Sequence, residues 1–199
     1  TSSILIVNEL ISFAKKNKQP VALVIKKNTF ENYKLKNKTI FEREKTREEA
    51  INLIIPEIPK DSLLVATTGM LSRELFELRE RNNEGHEKDF LTVGGMGHTS
   101  QIALGISLQK KNAQVFCLDG DGSIIMHMGS MPINAMNGSN NFRHIVINNN
   151  AHDSVGGQPT VAGMIDLVSV ATGMGYKWSK VASTEDEIRN SIKEMQSVE

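Results

Sequence analysis

Two residues suited to binding a small hard cation stand at matching places in this chain. Asp121 lies in the run Asp119-Gly120-Asp121-Gly122-Ser123, directly after the apolar stretch 115–118. Asn149 is the middle of three asparagines, Asn148 to Asn150, that follow a second apolar stretch at 144–147. The segment between them is rich in Ile and Met and has a helical look. Strand, glycine turn, helix and second strand make one βαβ unit. In an open parallel sheet the carboxyl ends of strands lie side by side, and ligands bind there. Such a unit brings Asp121 and Asn149 to one edge although about 28 positions separate them. A carboxylate and an amide oxygen are ligands for Mg2+, which takes about six oxygens and leaves part of its shell to phosphate and water. Gly120 and Gly122 let the backbone turn sharply and come close to a ligand. A helix starting near Ser123 aims free N–H groups at an anion. These parts suit a metal-bridged diphosphate.

The elements that must carry this unit read as follows. Apolar spacing predicts a helix over 2–17, and PVALVIK at 20–26 predicts a buried strand. One helix and one strand cannot close a core alone. The polar, lysine-rich stretch 31–46 reads as a linker. Thr46 is a candidate N-cap with Glu48 and Glu49 behind it, and Pro56 ends the helix that follows. Strands are expected at 62–66, 90–93 and 176–182. Helices are expected at 72–81, 100–109, 163–172 and 184–195, the last opened by a Thr184/Glu187 capping box. This alternation argues for an α/β fold, a doubly wound, mostly parallel sheet with helices on both faces. Turns at Thr67-Thr68-Gly69 and at Gly94-Gly95-Met96-Gly97 then fall on the same edge as Asp121.

The run GDGS followed about two dozen residues later by NN, with GGMGHTS upstream, resembles the thiamine diphosphate motif of the 2-oxo acid decarboxylases. NNNAHDSVGGQPT, from Asn148 to Thr160, is similar to the branch that decarboxylates phosphonopyruvate or sulfopyruvate. The resemblance implies thiamine diphosphate and Mg2+ as cofactors and conversion of phosphonopyruvate to phosphonoacetaldehyde and CO2. Sulfopyruvate decarboxylation, or acetolactate-type use of another 2-keto acid, is the alternative. By matching motifs it implies Asp121, Asn149 and the Ala151 carbonyl as metal ligands, with glycine the commoner residue at the Ala151 position. It places Thr68, Gly69, Met70, Gly94, Met96, Gly120, Gly122, Ser123, Asn149 and Ser154 against the cofactor. There the Gly94 carbonyl accepts from the aminopyrimidine, and Met96 wedges between the two rings. It further implies that 1–30 is the remnant of a preceding pyrimidine-binding domain, 31–46 a linker and 47–199 the diphosphate- and Mg-binding domain. The activating glutamate belongs to the pyrimidine-binding half, so this chain is expected to bind cofactor but not to turn over alone. Sites in that family form between chains, which implies a homo-oligomer.

A phosphonate needs cationic or N–H donors. His98 and His152 follow cofactor turns and are the candidate catalytic residues, with His127, Gln158 and the backbone of Gly156 and Gly157 as further donors. The Met residues at 126, 128, 131 and 136 read as core and dimer packing, and Arg143 as a solvated charge. Cys117, the only cysteine, sits in an apolar run and reads as a small core residue. Lys+Arg and Asp+Glu both total 23, so no basic surplus points to nucleic acid. No apolar stretch of membrane-spanning length and no signal peptide is present, which makes the cytosol the expected location. A dinucleotide-binding reading is disfavoured, since no G-x-G-x-x-G follows a first strand.

Overall fold

The computed structural model describes residues 2–32 and 45–198 and divides the chain into two compact units, 1–38 and 39–199. The expected linker therefore lies mostly outside the described residues. In the first unit the predicted helix forms as α1 (Ser2–Asn17). The predicted strand at 20–26 does not form: Val24 is 92% exposed, and no β-pairing among the described residues includes this run. A strand needs a neighbour to take its N–H and C=O groups, and the described residues of this unit supply none.

The second unit runs α2 (Arg47–Ile54), β1 (Leu63–Ala66), α3 (Met70–Arg81), β2 (Asp89–Leu91), α4 (Thr99–Gln109), β3 (Val115–Gly120), α5 (Asp121–Met126), α6 (Met131–Asn137), β4 (Phe142–Ile147), β5 (Ala151–His152), β6 (Gln158–Pro159), α7 (Leu167–Gly173) and α8 (Glu185–Ser197). Strands β1 to β4 form one parallel sheet in the order β2-β1-β3-β4, and β5 and β6 form a small antiparallel hairpin. Side chains alternate across the sheet as the strand period requires. Leu64, Ala66, Phe116 and Leu118 join Ile51, Leu75 and Ile188 of α2, α3 and α8 on one face. Val65, Val115 and Cys117 join Ala103 of α4 on the other. Phe116 and Leu118 are both fully buried, and such burial is worth roughly 1.5–3 kcal/mol per side chain.

Both expected caps are present. The Thr46 hydroxyl accepts from Glu49 N–H while the Glu49 carboxylate accepts from Thr46 N–H, and Thr184 and Glu187 repeat the arrangement. The helix expected from 163 starts later, because the Asp166 carboxylate accepts from the N–H groups of Val168 and Ser169 and caps the chain there. The strand expected at 176–182 is absent. A cavity of about 780 Å³ lies between this segment, the outer edge of β4 and α8, so the ladder to β4 is not made. Arg143 is a correction of another kind. It is buried, and its guanidinium donates to the carbonyls of Phe142, Gln196 and Val198. Desolvation lowers its pKa. Of the methionines, Met131 is core, whereas Met126 and Met136 are exposed. Cys117 is buried as expected.

Candidate functional site

Strand β3 runs directly into α5 at Gly120-Asp121, so the helix opens on Asp121 rather than near Ser123. The β3–β4 register sets Gly120 opposite Ile147, which leaves Asp121 and Asn149 just beyond the paired ends of adjacent strands. Both are buried. The Thr160 hydroxyl donates to Asp121 Oδ2, and Thr160 N–H donates to the Asn150 carbonyl. Thr160 follows the β5–β6 hairpin, which thereby folds back onto the Asp121 turn. Asn149 Oδ1 accepts from Ala151 N–H at 3.2 Å, and Asn149 Nδ2 donates to Asp153 Oδ2 at 2.6 Å. The amide oxygen keeps a second lone pair for a cation. Ala151 opens β5, immediately beyond this pair.

Three turns meet around Asp121. Ser123 Oγ, wholly buried, accepts from Gly97 N–H and from the Thr67 hydroxyl, each at 3.1 Å. That side chain is a knot between the loops after β1, β2 and β3. Thr68 Oγ1 accepts from Gly94 N–H at 3.1 Å and ties two of the same loops. The Gly94–Gly97 turn needs glycine, with φ of +71°, +57° and +88° at Gly94, Gly95 and Gly97. Ser154 Oγ accepts from Met70 N–H, at the start of α3, and lies where a Cβ on Gly69 would fall. Gly122 is kept bare for a similar reason: a Cβ there would stand 2.5 Å from His152 Cε1 and 3.5 Å from Met96 Cε. Met96, Gly122 and His152 therefore converge.

His98 sits elsewhere in the cluster. Its Nδ1 lies 3.3 Å from the carbonyls of Gly95 and Met96, and its ring packs edge-on against His127 with centroids 4.4 Å apart. Gln158, Gly156 and Gly157 are exposed on the hairpin.

Arg47 belongs to this edge and carries no local signal in the sequence. It grips Glu74 with two hydrogen bonds of 2.7 Å and donates to Asp153 Oδ2 at 2.9 Å, partners 27 and 106 positions away. The Glu74 hydrogen bonds lead in raising its pKa, against the opposing effect of desolvation. Arg47 thus braces the carboxylate that orients Asn149, beside a cleft of about 340 Å³. Thr160 was within reach of sequence reasoning, since it closes the run NNNAHDSVGGQPT, but only folding shows what its hydroxyl touches.

The donor set is oxygen-only, buried and spread over two strand ends. That fits a small divalent cation carrying a diphosphate. Residues 67–199 match the family model described as the thiamine pyrophosphate enzyme, C-terminal TPP binding domain. The chain belongs to that family.

Relatives agree with it, and solved structures share the fold. The chain is 35% identical over 147 residues to phosphonopyruvate decarboxylase of Streptomyces viridochromogenes, a match covering 74% of this chain and 36% of that one. It is 33% identical over 150 residues to sulfopyruvate decarboxylase subunit beta of Methanococcus maripaludis, covering 75% of this chain and 77% of the subunit. The chain spans about a third of the phosphonopyruvate decarboxylases it matches. In fold it is similar to benzoylformate decarboxylase of Polynucleobacter necessarius, with a TM-score of 0.62 at 19% identity over 80% of this chain and 33% of that one. The 4-hydroxybenzoylformate decarboxylase of Rhodococcus jostii gives the same TM-score at 18% identity over 84% and 33%. Among the described residues no helix is long and apolar enough to cross a membrane.

Proposed function

We propose that this thiamine pyrophosphate domain serves an Mg2+-dependent decarboxylase of phosphonopyruvate, releasing phosphonoacetaldehyde and CO2. The observation that carries the reading is the pair Asp121 and Asn149, buried oxygen donors at adjacent strand ends. Asp121, Asn149 and the Ala151 carbonyl hold the cation. The N–H groups at Gly122 and Ser123, with the turns at Thr68-Gly69-Met70 and Gly120, receive the diphosphate. Ser154 acts through its bond to Met70, keeping that turn in place. Gly94 offers its carbonyl to the aminopyrimidine, and Met96 packs against the rings. Bound thiamine diphosphate supplies the electron sink that takes up the pair left when a 2-keto acid loses CO2. His152 and His98 orient the substrate's anionic end, and the surrounding turns hold substrate and cofactor in register.

The pyrimidine-binding half is a required partner, and residues 1–30 are read as the end of it, joined by the stretch 31–46. Homo-oligomerisation would complete the site. Sulfopyruvate is the second reading, supported by the greater share of the Methanococcus maripaludis subunit that this chain spans. The test is a substrate comparison on the assembled protein with Mg2+ and thiamine diphosphate. Aldehyde release from phosphonopyruvate is expected. Turnover of sulfopyruvate or pyruvate, with none of phosphonopyruvate, would overturn the first reading.

A further inference from the structure

Beneath the Asp121 turn runs a chain of polar groups that the cofactor contacts do not use. Gln101 Nε2 on α4 donates to the Ser130 carbonyl at 3.3 Å and to Asn134 Oδ1 at 2.6 Å. Asn134 Nδ2, on α6, donates to Tyr176 Oη at 3.3 Å. Tyr176 Oη lies 3.0 Å from His144 Nδ1 on β4. His144 Nε2 faces Asp119 Oδ2 at 3.5 Å, too loosely aligned for a full hydrogen bond. Asp119 Oδ1 accepts from Gly120 N–H at 3.0 Å. Asn134, Asp119 and the His144 side chain are all at least 95% buried.

The directions of the Gln101 and Asn134 links follow from the first. The Ser130 carbonyl can only accept, so the Gln101 atom facing it is nitrogen, and Asn134 must offer its oxygen to Gln101. The Asn134 nitrogen then donates to Tyr176, whose single hydroxyl proton is free for His144 Nδ1. With Nδ1 accepting that proton, a neutral imidazole carries its own on Nε2, the tautomer that turns a donor toward Asp119. Asp119 holds the Gly120 N–H with its other oxygen, one residue before Asp121. A row of donors thus ends on the residue that sets the turn.

We propose that Tyr176 and His144 are positioning residues for the cation site, acting through Asp119 on the Gly120-Asp121 backbone. The inference rests on reading Asp121 as a cation ligand. Groups outside a ligand shell that orient it commonly change metal affinity 10- to 100-fold. The loosely aligned His144–Asp119 link makes the lower end of that range the expectation here.

The experiment measures Mg2+ affinity calorimetrically on the assembled protein at saturating thiamine diphosphate, beside the melting temperature of the cofactor-free form. Tyr176→Phe keeps the ring and removes the donor to Nδ1, freeing the imidazole to place its proton on the wrong nitrogen. It is expected to weaken Mg2+ binding about tenfold. His144→Leu is expected to do the same, and His144→Gln, whose amide can still donate toward Asp119, to restore most of the affinity. Wild-type Mg2+ affinity in both Tyr176→Phe and His144→Leu overturns the proposal, even if both melt earlier, since that is what a purely structural role would give. Asp121→Ala separates the two readings. If it abolishes Mg2+ binding while the other variants bind normally, only the positioning role fails. If it binds as wild type, the cation assignment fails and takes the proposal with it.

Discussion

Two carboxylates flank Gly120, and their surroundings could hardly differ more. Asp119 closes the strand, lies under the sheet edge and has His144 and a backbone N–H for neighbours. Asp121 opens the helix at the lip, where Thr160 of the returning hairpin reaches it. Nearly equal burial conceals unequal roles. Asp119 takes its hydrogen bond from the backbone N–H of its own neighbour, with the His144 ring 3.5 Å away, whereas Asp121 takes one from a hydroxyl of the returning hairpin. A carboxylate satisfied from within the protein stabilises structure; one left with spare lone pairs is available for a ligand.

The sharpest way to break this comparison is Asp121→Ala. It is expected to reduce Mg2+-dependent thiamine diphosphate binding by at least about 100-fold with little change in the cofactor-free melt. Binding unchanged in calorimetry would erase the distinction. Asp119→Ala should do the reverse in kind. It leaves the Gly120 N–H without its acceptor, at about 1–3 kcal/mol for a buried group, read as a lower denaturant midpoint. A wild-type midpoint would mean that water reaches that donor. Thr160→Val tests the hairpin's hold on Asp121 and is expected to weaken Mg2+ binding about tenfold, with sheet and melt preserved. Equal affinity would show that Asp121 needs no orientation from the hairpin.

The smallest effect concerns alkaline pH on the core side of the same strand. Burial, with the Asp119 charge adding to it, raises the Cys117 thiol well above its ordinary value. Both states are protonated at neutral pH. Above about pH 8.5 the unfolded chain ionises its thiol while the folded one does not, so this group makes stability fall as pH rises. Tyr176, pushed up to about 12 by desolvation, adds to the fall from about pH 10 upward. In Cys117→Ala the decline between about pH 8.5 and 10 should flatten, as followed by chemical denaturation. A decline as steep as in the wild type would remove Cys117 as its cause.

Much of the framework was legible in local sequence because local physics produces it. The capping boxes at Thr46 and Thr184 depend on residues three apart, and both formed. The βαβ unit depends on two apolar runs and a glycine turn, and register alone then carried Asp121 and Asn149 to one edge. The strand expected at 20–26 shows the limit. Its composition is that of a strand, but a strand exists only where a neighbour takes its hydrogen bonds. The segment 176–182 lies beside β4 without pairing.

What the sequence determined by itself was therefore the α/β class, the glycine turn at Asp121 and the helix caps, each set by residues close together in the chain. Only the tertiary structure decided that Arg143 is buried against carbonyls, and that Ser123 uses its hydroxyl to tie loops together. It also decided that Arg47 braces Asp153 from 106 positions away. The reason is that a hydrogen bond between distant residues leaves no periodicity in sequence; it exists only once the sheet has brought its ends together.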